Sequence, residues 1–414
     1  MEEHEAALLV ARTSGLVVRR IGAVVDDPNP ELPWRVVGPD GMVVPEAAEY
    51  LRHSVASGFS ASSVESYARA LLRWLRFLWA VDMAWDRADR AEVRDFVLWM
   101  RTTEKDRSRR PESPEPGSVN PRTGKRLLTA KYAPATINHN LAVISGFYDY
   151  FLAEGRGPLR NPVPLRTSRR NERADAHHNP MEPFRPRHRG GYRQRVPRTE
   201  PRAIPDRLFD ELFELMPSNR DRALMALYVS TAARPTELVN LAQARVDYGE
   251  QLVGVIRKGT NELQWLPASP DAFVWLRLYQ SELPPELAGA DKPLWWTLRR
   301  PWRALNYEAM RAVLRRANIV LGTNWTLHDL RHTAALRMAA DPGMLLVDIQ
   351  VLLGHAHLST TERYLRLRLE QLVEHVRQHH RRRAELPVTP ERQALGYDAA
   401  DMRELVGWQQ GAVG

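Results

Sequence analysis

A mainly α protein with a small β insertion, arranged as two helical domains, is the fold class this sequence predicts. Three observations lead there. Apolar residues recur at helical spacing in two blocks, 46–155 and 204–384. Between them, residues 156–203 lose that periodicity, and eleven arginines fall from Arg160 to Arg198 among Pro, Gly and His. Short Val-rich or alternating stretches beside turn residues mark 1–45 and 252–266. A length of 414 residues is ample for more than one core.

Residues 1–45 predict a small β element. Val17-Val18 and Val36-Val37 flank turns, and Pro39-Asp40-Gly41 between Val-rich stretches reads as a hairpin. It serves as a structural cap on the next domain, with a nucleic-acid-binding arm as the alternative. In 63–79, Val64, Tyr67, Leu71, Trp74, Leu75 and Leu78 define a helix capped by Ser62 or Ser63. Ala91 to Met100 is a second helix. Residues 104–126, charged and rich in Pro and Ser, predict a flexible loop or an insertion. Ile137, Leu141, Ile144, Phe147, Tyr148 and Phe151 define another helix, with Thr136 as its cap.

The stretch 156–203 predicts a linker without a core. It is either solvated or a basic strap along a phosphate backbone, and the two readings are compatible. Its candidate contacts are Arg160, Arg166, Arg169, Arg170, Arg185, Arg187, Arg189, Arg193, Arg195 and Arg198. After it, helices are expected at 208–216, 223–230, 302–317, 327–340, 345–353 and 360–380. Leu252–Arg257 and Glu262–Leu266 pair as a hairpin across Lys258-Gly259-Thr260-Asn261. The tail, 385–414, ends in a short amphipathic piece.

Composition narrows the chemistry. Cysteine is absent, which excludes a disulfide framework, a thiolate metal site and a cysteine nucleophile. No apolar run approaches the ~18 residues of a membrane span, and the acidic start is unlike a signal peptide, so a cytoplasmic protein without membrane contact is expected. The formal charge is +9, and of 59 basic residues five are Lys. Arginine suits bidentate phosphate contacts, so nucleic acid is the first partner to test.

Several short stretches carry candidate chemistry. Thr326 with Asp329 resembles a capping box. In the helix it opens, His328, Arg331 and His332 fall at i, i+3 and i+4 and can share a face. Gly354 is suited to a left-handed helix stop and projects His355 from a fixed position. Ser359 with Glu362 forms a second capping box one turn before Tyr364, a phenol that needs a base or cationic neighbours to attack phosphorus. Arg234 precedes Pro235, which pushes it out of helical geometry at a kink between helices. Lys258 sits at the hairpin turn.

This order of residues resembles the tyrosine recombinase (phage-type integrase) family. The matching stretches are AARPTELVNL, IRKGTNELQWLPA, LHDLRHTAA and LLGHAHLSTTERYL, covering about 204–370. A looser likeness over 46–155 involves SxxSVxSYxRALLRWLRFL and TINHNLAVISGFYDYFL, which look like the family's helical core-binding domain. The resemblance implies a two-domain clamp: a core-binding domain and an α+β catalytic domain closing on double-stranded DNA as a homotetramer, with accessory proteins and docking of the tail on a neighbouring protomer as further options. It implies that Tyr364 is the nucleophile and holds a 3′-phosphotyrosine. Arg234 and Arg331 would clamp the non-bridging oxygens, and Lys258 would protonate the 5′-hydroxyl. His328 would assist proton transfer, and His355 would hydrogen-bond the phosphate. No cofactor or metal is implied. The implied outcome is integration, excision or transposition of a mobile element.

Departures from the pattern are Ala232, where the family often has Gly, and Gln264, where a basic residue commonly follows the hairpin. Glu237 is expected to buttress Arg234 or the helix start. A supporting role stays open for His332, and His357 is read as surface. The alternatives are a type IB topoisomerase-like DNA-relaxing enzyme, a non-catalytic DNA-binding regulator, and a metal hydrolase built from His328, His332, His355 and His357. The hydrolase lacks the usual ligand spacing and a nearby acidic ligand.

Overall fold

The computed structural model describes residues 16–105, 114–164, 191–197, 201–341 and 343–355, with Thr361 and Arg381. Tyr364, His357, the tail 385–414, nearly all of the expected 360–380 helix, and Arg166, Arg169, Arg170, Arg185, Arg187, Arg189 and Arg198 lie outside the described residues. The chain divides into two units at Thr199 and Glu200.

In the first unit, β1 (Ala23–Asp26) pairs antiparallel with β2 (Trp34–Val37), Val24 facing Val36. The Pro39-Asp40-Gly41 turn follows β2 and closes through a Val37–Val43 bridge, so this segment makes two successive reversals rather than one hairpin. Helices α1 (Pro45–Ala56), α2 (Ala61–Ala80), α3 (Arg90–Thr102) and α4 (Pro134–Ala153) follow. The core is the stripe read from the sequence: Val64, Leu71, Trp74, Leu75 and Leu78 of α2 join Ile137, Leu141, Ile144, Phe147, Tyr148 and Phe151 of α4. Its polar atoms are paired. Trp74 Nε1 donates to Tyr148 Oη (3.1 Å), which donates to Trp85 O (2.8 Å).

Both expected caps in this unit move. Ser60, extended at ψ 152°, accepts from Ser63 N, which places Ser62 and Ser63 inside the first turn of α2. Pro134 occupies the first turn of α4, leaving Thr136 within it, because proline has no N–H to satisfy. The stretch expected to be a flexible loop carries, in its described part, a small reversal. Val119 bridges Arg126, and Asn120 Oδ1 accepts from Arg122 N and Thr123 N. Asparagine's ability to bond its own backbone builds this turn.

The described parts of 156–197 also depart from expectation, since they pack on the first unit. Val163 is buried, and Asn161 Nδ2 donates to Ser145 O and Asp149 Oδ1. Asn138 and Gln194 exchange two hydrogen bonds, of 2.7 and 2.8 Å. The side chains of Arg160, Arg193 and Arg195 are exposed.

The second unit contains α5 (Asp206–Glu214), α6 (Asn219–Thr231), α7 (Pro235–Val239), strands β3 (Val246–Asp247), β4 (Leu252–Ile256) and β5 (Leu263–Pro267), then α8 (Pro270–Ser281), α9 (Tyr307–Leu321), α10 (Leu327–Ala340) and α11 (Leu346–Leu353). The sheet is antiparallel with order β3-β4-β5, and Val253 faces Leu266 across the expected hairpin. Strand β3 and helix α8 were not expected. Helix α9 starts five residues later than the 302–317 expectation, because Asn306 caps it through Ala309 N (2.8 Å) and Ala304 bridges Trp296. The main core gathers Leu224, Tyr228, Leu276, Trp295, Leu314 and Leu330. A separate cluster of small side chains, Ala232, Ala334, Ala335 and Ala339 with Leu336, Ile349 and Leu353, brings α10 and α11 against the end of α6.

Candidate active site

The site is built around the carboxyl end of α11. A helix leaves its last four carbonyls without intrahelical partners, and its dipole makes that end negative. Here four side chains, from the β4–β5 hairpin, α10 and the α6–α7 junction, reach the carbonyls of residues 351–354 in sequence. Gln264 Nε2 donates to Val351 O (3.0 Å), and Arg257 Nη2 to Leu352 O (2.5 Å). Arg331 Nη2 donates to Leu353 O (2.6 Å), and Arg234 Nη2 to Gly354 O (3.3 Å). Gly354 ends the helix at φ 57°, ψ 47°, as its sequence position predicts. A Cβ there would sit 3.0 Å from Arg257 Nε, so any other residue would press on that side chain as well as strain the backbone.

Arg234 is extended (φ −71°, ψ 148°) before Pro235, and α6 ends at Thr231 with Ala232 capping it. Ala232 is fully buried and holds φ 53°, the left-handed geometry for which the family often uses glycine. Its carbonyl accepts from Arg331 Nη1 (2.7 Å). The α6–α7 junction therefore supplies one arginine and anchors the other.

Glu237 does both tasks expected of it. Its Oε2 accepts from Arg234 N (2.8 Å) and Arg257 Nη1 (2.9 Å). Its Oε1 accepts from Arg234 Nη1 (2.7 Å) and Lys258 N (3.2 Å). Burial alone would raise this carboxyl's pKa. The backbone N–H and guanidinium of Arg234, the charge of Arg257 and the N–H of Lys258 outweigh it and hold the pKa below the ordinary glutamate value.

Thr326 N and Oγ1 both donate to Asp329 Oδ2 (2.7 Å each), which fixes the start of α10. Of the three residues read as one face, His328 and His332 stay together and Arg331 turns away. The rings of His328 and His332 meet edge to face at 4.2 Å, His328 exposed and His332 8% exposed. Arg331, 2% exposed, turns to Ala232 O, Leu353 O and His355 Nε2 (3.3 Å). His355 Nδ1 is 3.0 Å from Thr361 Oγ1, which sets the ring's orientation.

Arg234, Arg331 and His355 are thus brought together at one helix end. Lys258, exposed at the hairpin, joins them through its backbone contact with Glu237. Among the described residues no group of three His, Asp or Glu is placed to hold a metal ion, and no helix is long and apolar enough to cross a membrane. Sequence reasoning missed Arg257, which carries the guanidinium sought at position 264 from the neighbouring strand. The available signal was the alternation through β4 and the residue after it: Val253, Val255 and Arg257 recur at every second position, and the first two are buried.

Residues 206–371 match the phage integrase family. The chain is 30% identical over 249 residues to the tyrosine recombinase XerC of Azotobacter vinelandii, spanning 60% of this chain and 74% of that protein. It is 32% identical over 156 residues to the tyrosine recombinase XerD of Lacticaseibacillus casei, covering 37% of this chain and about half (53%) of that relative's length. The fold is shared with the XerH site-specific recombinase bound to its palindromic difH substrate (TM-score 0.55, 14% identity, 89% of this chain and 93% of that one). It is also shared with a lambda integrase dimer bound to a core site (TM-score 0.51, 15% identity, 76% and 95%). The chain belongs to the tyrosine recombinase (phage integrase) family.

Proposed function

We propose that this protein is a site-specific DNA recombinase that cuts and rejoins duplex DNA through a 3′-phosphotyrosine. The observation that carries the reading is the convergence of Arg234 and Arg331 on residues 353–355, where Arg331 meets His355, with Lys258 tied to the same carboxylate as Arg234. Two permanent cations and an imidazole held by fixed partners suit a phosphodiester whose negative charge grows in the transition state.

In this mechanism Tyr364 Oη attacks phosphorus and its proton passes to a base, His328. The P–O5′ bond breaks, and Lys258 Nζ gives a proton to the departing O5′. Arg234 and Arg331 bind the non-bridging oxygens, and His355 adds a hydrogen bond. Rejoining runs in reverse from a second 5′-hydroxyl, and the phosphotyrosine bond supplies the energy. In the same reading residues 46–155 bind the duplex, the arginines of 160–198 follow its backbone, and four copies exchange strands between sites of a mobile element.

The test is a nicked suicide duplex carrying the element's own end sequence. Wild-type protein should form a covalent adduct, with or without EDTA, and Tyr364→Phe should bind equally and form none. An adduct on the Phe variant would overturn the assignment, and dependence on a metal would point to hydrolysis instead.

A further inference from the structure

Arg257 has no task in the strand-transfer steps above, yet it is among the most enclosed charges of the site, its side chain 6% exposed. Burial pulls its pKa down while the Glu237 carboxylate opposes that, so the buried charge is held by its partners. Those partners are the informative feature. Nη1 meets Glu237 Oε2 (2.9 Å), Nε meets Gln264 Oε1 (2.6 Å), and Nη2 meets Leu352 O. One side chain therefore joins α7, both strands of the hairpin and the end of α11.

Two consequences follow from this placement. Glu237 binds Arg257 with the oxygen that also takes Arg234 N, and binds the Arg234 guanidinium with the other. Arg257 therefore fixes the carboxylate that aims Arg234. Lys258 follows Arg257 directly and opens the turn of the hairpin. With Arg257 held inward, Lys258 is turned outward, and its N–H is bound to Glu237. Gln264 reaches the same helix end from β5: its amide donates to Val351 O, and Arg257 Nη2 lies 3.5 Å from that oxygen.

We propose that Arg257 is a positioning residue for strand cleavage, aiming Arg234 through Glu237 and Lys258 through the hairpin backbone. The proposal rests on the recombinase reading. It is tested with full-length protein on two suicide duplexes, one ordinary and one with sulfur replacing the bridging 5′ oxygen. A thiolate leaves without a proton, so the sulfur substrate relieves a misplaced Lys258.

Arg257→Met should slow single-turnover adduct formation by about 100-fold, as a displaced catalytic group does, with DNA affinity unchanged. The loss should shrink on the sulfur substrate. Exchanging the pair, Arg257→Gln with Gln264→Arg, should recover much of the rate, because it returns a guanidinium to the same helix end. Wild-type cleavage by the Met variant would overturn the proposal, as would an equal loss on both substrates. Where the Met variant does not fold, the exchange variant decides: folded but inactive on both substrates, it overturns the proposal. Failure of the wild-type protein to form any adduct is a separate result and strikes the recombinase reading itself.

Discussion

Arg234 and Arg331, distant in sequence, donate to the carbonyls of two consecutive residues, Gly354 and Leu353. The spacing between the two guanidiniums is therefore set by one helix end rather than by the elements that carry them. Removing Arg331 orphans two buried carbonyls, Ala232 O and Leu353 O. Arg331→Ala is expected to cost about 2–4 kcal/mol of stability, measured by denaturant unfolding. Arg331→Lys should recover only part of it, because a single ammonium cannot reproduce the fork.

Ala232 tests the cost of its own backbone. A left-handed alanine carries about 1–2 kcal/mol of strain, while its methyl belongs to the buried cluster that also holds Ala334, Ala335 and Leu353. Ala232→Gly relieves the first and loses the second, so stability should stay within about 1 kcal/mol of wild type. Ala232→Val, β-branched and crowded, should destabilise by about 2–4 kcal/mol. Thermal melts of the two variants distinguish these outcomes.

Gly354→Ala meets two obstacles at once: positive φ and a Cβ 3.0 Å from the Arg257 guanidinium. It should lose about 1–2 kcal/mol from conformation alone. It should also slow adduct formation beyond what that loss of folded protein explains, because Arg257 has to move. Cleavage rates normalised to folded protein check this.

Glu237 imposes a direction on the pH dependence. Its folded-state pKa is lowered, so the stability it adds is fully present above the ordinary value of 4.5. That stability is lost as pH falls through the lowered value. The difference in melting temperature between wild type and Glu237→Gln should be constant from neutral pH down to about 5 and shrink below it. A difference that grows on acidification would contradict the assignment.

Much of this site was legible because its signals are local. The Thr326–Asp329 pair, the Gly354 stop, the Arg234-Pro235 kink and the Lys258 hairpin each depend on residues a few positions apart. Helix α10 runs over Leu327–Ala340, as its pattern implies. What stayed hidden depends on distant partners. Arg331 shares a helical turn with His328 and His332, but the carbonyls it seeks belong to other elements. Arg257 read as one more basic residue beside Lys258, although it continues the buried alternation of β4. Strand β3, two residues long, is too short for any periodicity to show.

Helix α11 buries only Ile349 and Leu353 among its own side chains, so the polar groups at its carboxyl end contribute much of its anchorage. A phosphate that draws on the N–H groups of Arg234 and Arg331 competes with the carbonyls those groups now hold. In the recombinase reading, a phosphate that drew Arg234 and Arg331 off Gly354 O and Leu353 O would loosen this segment, and release of the segment would favour the phosphate by the same free energy. Amide hydrogen exchange along residues 346–355 would report that coupling as a change in protection on adding substrate.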